Sequence, residues 1–414
     1  MWKTSKSALA WRASILRVLG LVLLISAVAV GAFLYGRSQS IASLEGEDRE
    51  SLKLYAEALD TVQEDYVDGE DVDSKKQTYG AIEGMLDSLG DEGHTRFQTP
   101  KEAESNREGL SGTYVGIGVQ LSTVDEDIVV AAPIEGSPAD EAGIESGDVV
   151  VAVDGKDVRD KDSSEIVEVV KGEKGTTVEV TVRRDGKERD FRMERAEIRS
   201  PVASWYRIPD SEVAHVRLTS FSDDSAAELS RVLDEARAAG AKRFILDLRD
   251  NPGGKLDQAL KMAGKFLDTG KIVYIREDAS GEREKVEVER NAEAIDAPLV
   301  VLVNGGSASS SEILAGALRD NDRATVVGQT TFGTGTVLSE FELNDGSSIL
   351  LGVAEWLTPN GDFIRDTGID PDIRVKLGKD TEPVTPAQAK DMSAEEILDG
   401  DAQLRRSFEE VRSE

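Results

Sequence analysis

The stretch 300–319, VVLVNGGSASSSEILAGALR, constrains the fold of this chain more than any other. It opens on Val300-Val301-Leu302-Val303, an unbroken apolar run, which is the pattern of a strand covered on both faces. The chain then turns through Asn304, Gly305 and Gly306. Beyond the turn, Ile313, Leu314, Ala317 and Leu318 fall at helical spacing, with Glu312 in the first turn where the helix dipole favours an anion. A buried strand, a tight glycine turn and a helix start therefore meet at Ser307, Ser309, Ser310 and Ser311. Such a corner sets a small hydroxyl beside free backbone N–H groups, an arrangement that suits a nucleophile next to an oxyanion site. Serine is also an ordinary helix cap, so both readings stand at this point.

The neighbouring sequence repeats the alternation. Strand patterns at 213–218 (VAHVRL) and 243–249 (RFILDLR) alternate with helical patterns at 225–240 and 256–267, which predicts an α/β sheet with its working corners at strand C-termini. The second such corner is Asp250-Asn251-Pro252-Gly253-Gly254. The segments 325–343 and 348–364 read as β-rich, and 394–411 as a charged amphipathic helix. With 414 residues the chain has room for two or three domains. A net charge of −31 argues against nucleic acid as a partner, because nothing would replace counterions along a phosphate backbone. The absence of cysteine removes disulfides and thiolate chemistry, and two histidines, His94 and His215, exclude a His-rich metal centre.

Upstream, Lys3, Lys6, Arg12 and Arg17 precede a mostly apolar run from 18 to 35 that is closed by Arg37. Its length just spans a bilayer, and the basic N-terminal side leaves the rest of the chain outside the cytoplasm. A retained transmembrane anchor at 18–36, behind a cytoplasmic basic segment at 1–17, is expected over a cleaved signal peptide, because no small-x-small site follows the run. A helical domain is expected over 47–110, its apolar residues Leu52, Tyr55, Leu59, Val62 and Tyr66 returning to one face. His94, in the break that follows, carries no expected role. Residues 112–195 change to short alternating strands punctuated by glycine, and with Ala142-Gly143-Ile144 and Gly147-Asp148 they closely resemble a PDZ domain. The resemblance implies that the turn Tyr114, Val115, Gly116, Ile117, Gly118 and Val119 presents backbone N–H groups to the carboxylate of a peptide's C-terminus while the tail adds as a strand.

Four further motifs in order, LDLRDNPGG, VNGGSASSSEILAGALRDNDRATVVG, TFGTGTV and LTPNGDFI followed by GIDPD, resemble the carboxyl-terminal processing proteases, or tail-specific serine peptidases. The resemblance covers most of the chain. It implies an α/β multidomain protein: N-terminal transmembrane helix, helical segment, PDZ β-domain, a serine protease core of the α/β (ClpP/crotonase-like) type at 196–378, and a charged helical tail at 379–414. It assigns the nucleophile to Ser309 and the oxyanion turn to Gly253 and Gly254, and it calls for no metal or organic cofactor. The family's partner for the serine is a lysine twenty-five positions on, in Phe-Gly-Lys-Gly; here Phe332-Gly333-Thr334-Gly335 puts Thr334 in its place, and Leu338 stands where a glutamine usually follows. A threonine hydroxyl does not titrate in the useful range, so a Ser-Lys dyad is unavailable. Lys255, where the family more often carries an apolar residue, is the candidate displaced base, with a solvated lysine at a helix start as its rival; Asp247, Arg249 and Asp250 are candidates for a supporting charge network. The expected function is an anchored, extracytoplasmic serine endopeptidase acting on protein or peptide tails, and the alternative is a catalytically inactive tail-binding adaptor or regulator. The helical segment and tail favour a homodimer.

Overall fold

The computed structural model describes residues 47–413 except the short stretches 69–72, 92–93, 125–126, 135, 290–293, 379–380, 382 and 390–391. The expected anchor at 18–36 and basic segment at 1–17 lie outside the described residues. Among those described, no helix is long and apolar enough to cross a membrane. The chain divides into two units, 1–80 and 81–414.

In the first unit, α1 (Glu47–Asp65) keeps the predicted apolar spacing, yet Leu52, Leu54, Tyr55 and Val62 are all exposed. A second helix, α2 (Ser74–Asp87), follows. The second unit then gives β1 (Arg96–Gln98) and α3 (Pro100–Ser111). Thr99 and Glu102 form a reciprocal capping box at the start of α3, and Gly112 ends it in the left-handed conformation (φ 69°).

The next segment comprises β2 (Thr113–Gly116), β3 (Val119–Val124), β4 (Asp127–Pro133), α4 (Pro138–Ala142), β5 (Val149–Val153), β6 (Lys156–Asp157), α5 (Ser163–Val170), β7 (Thr177–Arg184), β8 (Lys187–Glu194) and β9 (Ala196–Arg199). Its sheet runs β3-β4-β5-β7-β8, with β6 beside β5. The alternating Val178, Val180 and Val182 point inward against Ile117, Val130 and Ile166, which is why this stretch reads with period two. The first and last strands, β2 and β9, pair only with each other, Thr113 opposite Arg199 and Gly116 opposite Ala196. The module is thus entered and left through one two-stranded ribbon.

The remaining elements are β10 (Ala203–Arg207), β11 (Val213–Leu218), α6 (Ser225–Ala238), β12 (Arg243–Asp247), α7 (Leu256–Ala263), β13 (Ile272–Glu277), β14 (Arg283–Glu287), β15 (Leu299–Val303), α8 (Ser310–Asp320), β16 (Thr325–Gly328), β17 (Thr336–Glu342), β18 (Ser348–Leu357), β19 (Ile373–Arg374), α9 (Pro386–Ala389), α10 (Ala394–Gly400) and α11 (Ala402–Ser413). A six-stranded sheet runs β10-β11-β12-β15-β16-β19, and from β11 onward its strands are parallel. Phe244, Leu246, Val301 and Val303 face α6, α7 and α8. Their alternates Ile245, Val300 and Leu302 face Ile397, Leu404 and Val411 of the tail helices. Both faces are covered, which is the physical reason for the unbroken VVLV run. The tail is part of this core, since each fully buried leucine or valine contributes about 1.5–3 kcal/mol. A second, antiparallel sheet runs β1-β18-β13-β14, with β17 also on β18.

Strands β12 and β15 are parallel neighbours, Asp247 opposite Leu302, so the two predicted corners emerge side by side. Beneath them lies a buried ionic cluster. The Arg249 guanidinium, 0% exposed, bonds Asp247 at 2.7 and 2.9 Å and Asp401 of the tail at 2.8 and 3.1 Å. His215 Nε2 lies 2.9 Å from Asp247 Oδ2. Burial alone would raise the Asp247 pKa, but the Arg249 charge and the His215 bond outweigh it and hold this carboxyl far below the usual range. The expected charge network around Asp247 and Arg249 therefore reaches the C-terminal tail, while Asp250 stays at the surface on Asn304.

Candidate active site

Ser309 is the residue between the 304–308 turn and α8, and its backbone is strained, with φ 52° and ψ −117°. A β-carbon in that region costs about 1–3 kcal/mol and persists only where surrounding bonds impose it. Those bonds are present. The Ser309 N–H donates to Glu312 Oε2 at 2.9 Å and to Thr334 Oγ1 at 3.1 Å, and the Ser309 carbonyl accepts from the Ile313 N–H at 3.0 Å.

The neighbouring serines are spent on the adjacent corner. Ser307 Oγ donates to the Leu248 carbonyl at 2.7 Å, Ser310 Oγ to that of Gly254 at 2.9 Å and Ser311 Oγ to that of Asn251 at 2.9 Å. All three are buried, whereas Ser309 is half-buried. The hydroxyl cluster thus divides into three structural staples and one accessible serine.

Gly253 and Gly254 lie directly against this elbow. A Cβ on Gly253 (φ 95°) would sit 2.7 Å from the Ala308 carbonyl and 2.8 Å from Ser309 Cβ; one on Gly254 (φ 137°) would sit 2.6 Å from the Phe221 carbonyl. Only glycine fits at either position. The Gly253 N–H is taken by Asn251 Oδ1 at 2.9 Å. Among the described residues the N–H groups of Gly254 and Ser310 have no hydrogen-bond partner. Two free donors therefore flank the serine, one from each corner, an arrangement that can hold a developing oxyanion.

Glu312, which the sequence suggested only as an anion at a helix start, organises the site. Its carboxylate, 0% exposed, accepts from the N–H groups of Ser309 (2.9 Å), Thr334 (2.9 Å) and Gly333 (2.7 Å) and from the Thr331 hydroxyl (2.5 Å). It ties the Phe332-Gly333-Thr334-Gly335 turn to the start of α8. The signal was the Ser-x-x-Glu spacing of a capping box.

Thr334 lies beside Ser309 as the spacing implied, is buried, and receives the Ser309 N–H on its hydroxyl. Among the described residues no lysine or histidine is hydrogen-bonded to Ser309. Lys255 is placed elsewhere: its ammonium bonds both oxygens of Asp223 at 2.7 Å, and its backbone N–H bonds the Phe221 carbonyl at 2.7 Å. An ammonium committed to a carboxylate is a clamp on the turn after Gly254, and in this geometry it accepts no proton from Ser309. Leu338 is half-buried on β17 opposite Gly352.

A cavity of about 570 Å³ opens between the β3–α5 groove and the start of the α/β core, and Tyr114, Gly116, Ile117, Gly118 and Val119 all line it. Gly118 (φ 81°) packs so tightly on Ser137 that a Cβ would fall 2.3 Å from that side chain. Among the described residues the Ile117 and Gly118 N–H groups are without partners, which suits a carboxylate.

Comparison with known proteins agrees with this architecture. Residues 212–375 match the model of peptidase family S41, and residues 115–194 that of a PDZ domain. The chain is 36% identical over 362 residues to the carboxy-terminal processing protease CtpA of Bacillus subtilis (strain 168), covering 86% of this chain and 76% of that protein. It is 35% identical over 364 residues to a probable CtpA-like serine protease of Staphylococcus aureus (strain COL), covering 87% and 72%. Among solved structures it is similar to a photosystem II D1 C-terminal processing protease, with 30% identity, a TM-score of 0.45, and coverage of 78% of this chain and 86% of that one.

Proposed function

The chain belongs to peptidase family S41, the carboxy-terminal processing serine peptidases with a PDZ domain, and on that premise we propose that it is a membrane-anchored, extracytoplasmic endopeptidase that captures substrate C-termini. The tail adds along β3 with its carboxylate at Ile117 and Gly118, and the upstream chain reaches Ser309. Ser309 Oγ attacks the scissile carbonyl carbon; the new C–O bond forms as the π electrons move onto oxygen, and the Gly254 and Ser310 N–H groups hold that charge. Collapse breaks the C–N bond as the nitrogen takes a proton from solvent, so that the amine leaves and an acyl-serine remains, which water hydrolyses to the acid and free Ser309. The Ser309 proton passes to solvent, because residue 334 carries no amine, and the chemistry is correspondingly slow. The single observation that carries this reading is the accessible Ser309 between two partnerless N–H groups.

The basic N-terminus and the apolar run at 18–36 support the anchor and its orientation. The exposed apolar residues of α1 support pairing with a second copy. One observation favours a second reading, a tail-binding regulator without turnover: the hydroxyl that replaces the base is itself occupied by the Ser309 N–H.

The two readings separate on a serine-reactive fluorophosphonate and a tailed protein substrate. Wild type should label and cleave slowly, Ser309→Ala should do neither, and Thr334→Lys should raise cleavage by about 10²- to 10⁴-fold. Wild-type cleavage should rise with hydroxide through the neutral range, whereas Thr334→Lys should level off above the pKa of its amine. Tail binding with no cleavage by either folded protein would establish the regulator instead.

A further inference from the structure

The Gly254 N–H, one of the two donors beside Ser309, must stay unbonded to meet a developing charge, so nothing grips it directly. Gly253 (φ 95°) and Gly254 (φ 137°) also lie where glycine moves most freely. The direction of the donor is set from the far side of its own peptide unit. The Gly253–Gly254 peptide is trans, so the Gly253 carbonyl and the Gly254 N–H point opposite ways. That carbonyl accepts the Phe221 N–H at 2.9 Å, and the Phe221 carbonyl in turn accepts the Lys255 N–H at 2.7 Å. Phe221 and Gly254 thus form an isolated parallel bridge. A flip of the glycine peptide breaks the first of these bonds and reverses the donor.

We infer that Lys255 is a positioning residue for this donor: through Asp223 it latches the Phe221 loop to the glycine turn and holds the Gly253–Gly254 peptide in its oxyanion-binding orientation. This rests on the endopeptidase reading and names what aims one of its two donors. Asp223 is a fixed anchor. Its N–H donates to the Leu110 carbonyl near the end of α3 at 3.0 Å, and the preceding Ser222 is buried so closely on Gly112 that a Cβ there would fall 2.6 Å from Ser222 Oγ. The Lys255 ammonium meets both Asp223 oxygens at 2.7 Å. The latch therefore runs alongside the bridge, joining residue 223 to residue 255 as the backbone joins 221 to 253 and 255. Lys255 and Asp223 are 34% and 45% exposed, and a pair so open to water adds little to global stability. Its effect falls on the balance between two orientations of a two-glycine peptide, where a small bias changes the fraction of molecules able to hold the oxyanion.

The test uses the full chain in detergent with the serine-reactive fluorophosphonate and the tailed protein substrate, comparing wild type, Lys255→Met, Lys255→Arg, Asp223→Asn and the Lys255→Met/Asp223→Asn double variant. Lys255→Met and Asp223→Asn should each lower kcat and the labelling rate by about two- to fivefold, with KM and the urea midpoint unchanged. The double variant should be no slower than either single one, because both changes remove the same latch. Lys255→Arg should keep most of the rate. The loss in Lys255→Met should be the same factor at every pH through the neutral range, since a positioning residue adds no proton step of its own. A loss of about 10²-fold or more with an altered pH profile would make Lys255 a general base instead and overturn the inference. Wild-type rates in both single variants, or a loss that Lys255→Arg does not repair, also overturn it and leave the chemistry of Ser309 intact. Failure of folded wild type and Thr334→Lys alike to label or cleave overturns the endopeptidase reading, and this inference with it.

Discussion

At the scale of single residues, Glu312 sets the geometry around Ser309. Both of its oxygens accept, and every partner is a donor: three backbone N–H groups and one hydroxyl. Glu312→Gln keeps the shape but turns one oxygen into an NH2 group facing donors, so bonds on that side are lost. Each buried donor left without a partner costs about 1–3 kcal/mol. The variant should lose about 2–4 kcal/mol in urea unfolding and label more slowly with the serine-reactive probe. Unchanged stability and labelling would mean that the elbow is held by something other than this carboxylate. Ser309 itself was legible as a candidate, because a strand, a turn and a helix start meet there. The family resemblance singled it out from Ser307, Ser310 and Ser311; the local pattern did not, since four hydroxyls in one short run carry no sign of which three will bond the next strand's corner.

At the scale of elements, β12 and the tail helices are joined through Arg249. Arg249→Met leaves Asp401 buried without its cation and Asp247 with only His215 at 2.9 Å and Arg217 at 3.5 Å, and breaking a buried pair in this way typically costs about 3–5 kcal/mol. The pH dependence carries a sign. The folded-state pKa of Asp247 is depressed, so its contribution is fully present above its unfolded value of about 3.9 and is lost as pH falls through the folded value. Wild type should therefore hold its urea midpoint down to about pH 4 and lose it below, while Arg249→Met should start lower and lose less on acidification, because without the cation burial moves the Asp247 pKa back up. Coincident curves would remove Arg249 from the stability of this element pair. The sequence showed Asp247, Arg249 and Asp250 as neighbours. It did not show that the first two turn inward to meet Asp401 while Asp250 turns out to Asn304, because a bond across 152 positions of chain has no local signature.

For the whole molecule, the core sheet has two apolar faces, and the tail supplies the cover for one. Removing residues 384–414 strips Ile397, Leu404 and Val411 from Ile245, Val300 and Leu302. The truncated chain should bind a hydrophobic dye, lose cooperative unfolding and fail to label at Ser309. A truncated protein that unfolds with the wild-type midpoint would show that the tail is an appendage. Its charged, amphipathic pattern predicted a helix, but a helix period says which side is apolar and leaves open what that side meets.

The sequence by itself determined the PDZ-then-peptidase order, the strand–turn–helix corners, the family and the presence of Thr334 in the Phe332-Gly333-Thr334-Gly335 turn, because each is written in contiguous residues whose spacing or identity is local. Only the tertiary structure decided which serine is accessible, that Gly254 and Ser310 hold the free N–H groups, that Lys255 is bound to Asp223, and that Glu312 joins the 333–334 turn to the helix. Each of these depends on which backbone donors and carbonyls are left over once distant strands have been brought into register, a remainder that no local pattern encodes.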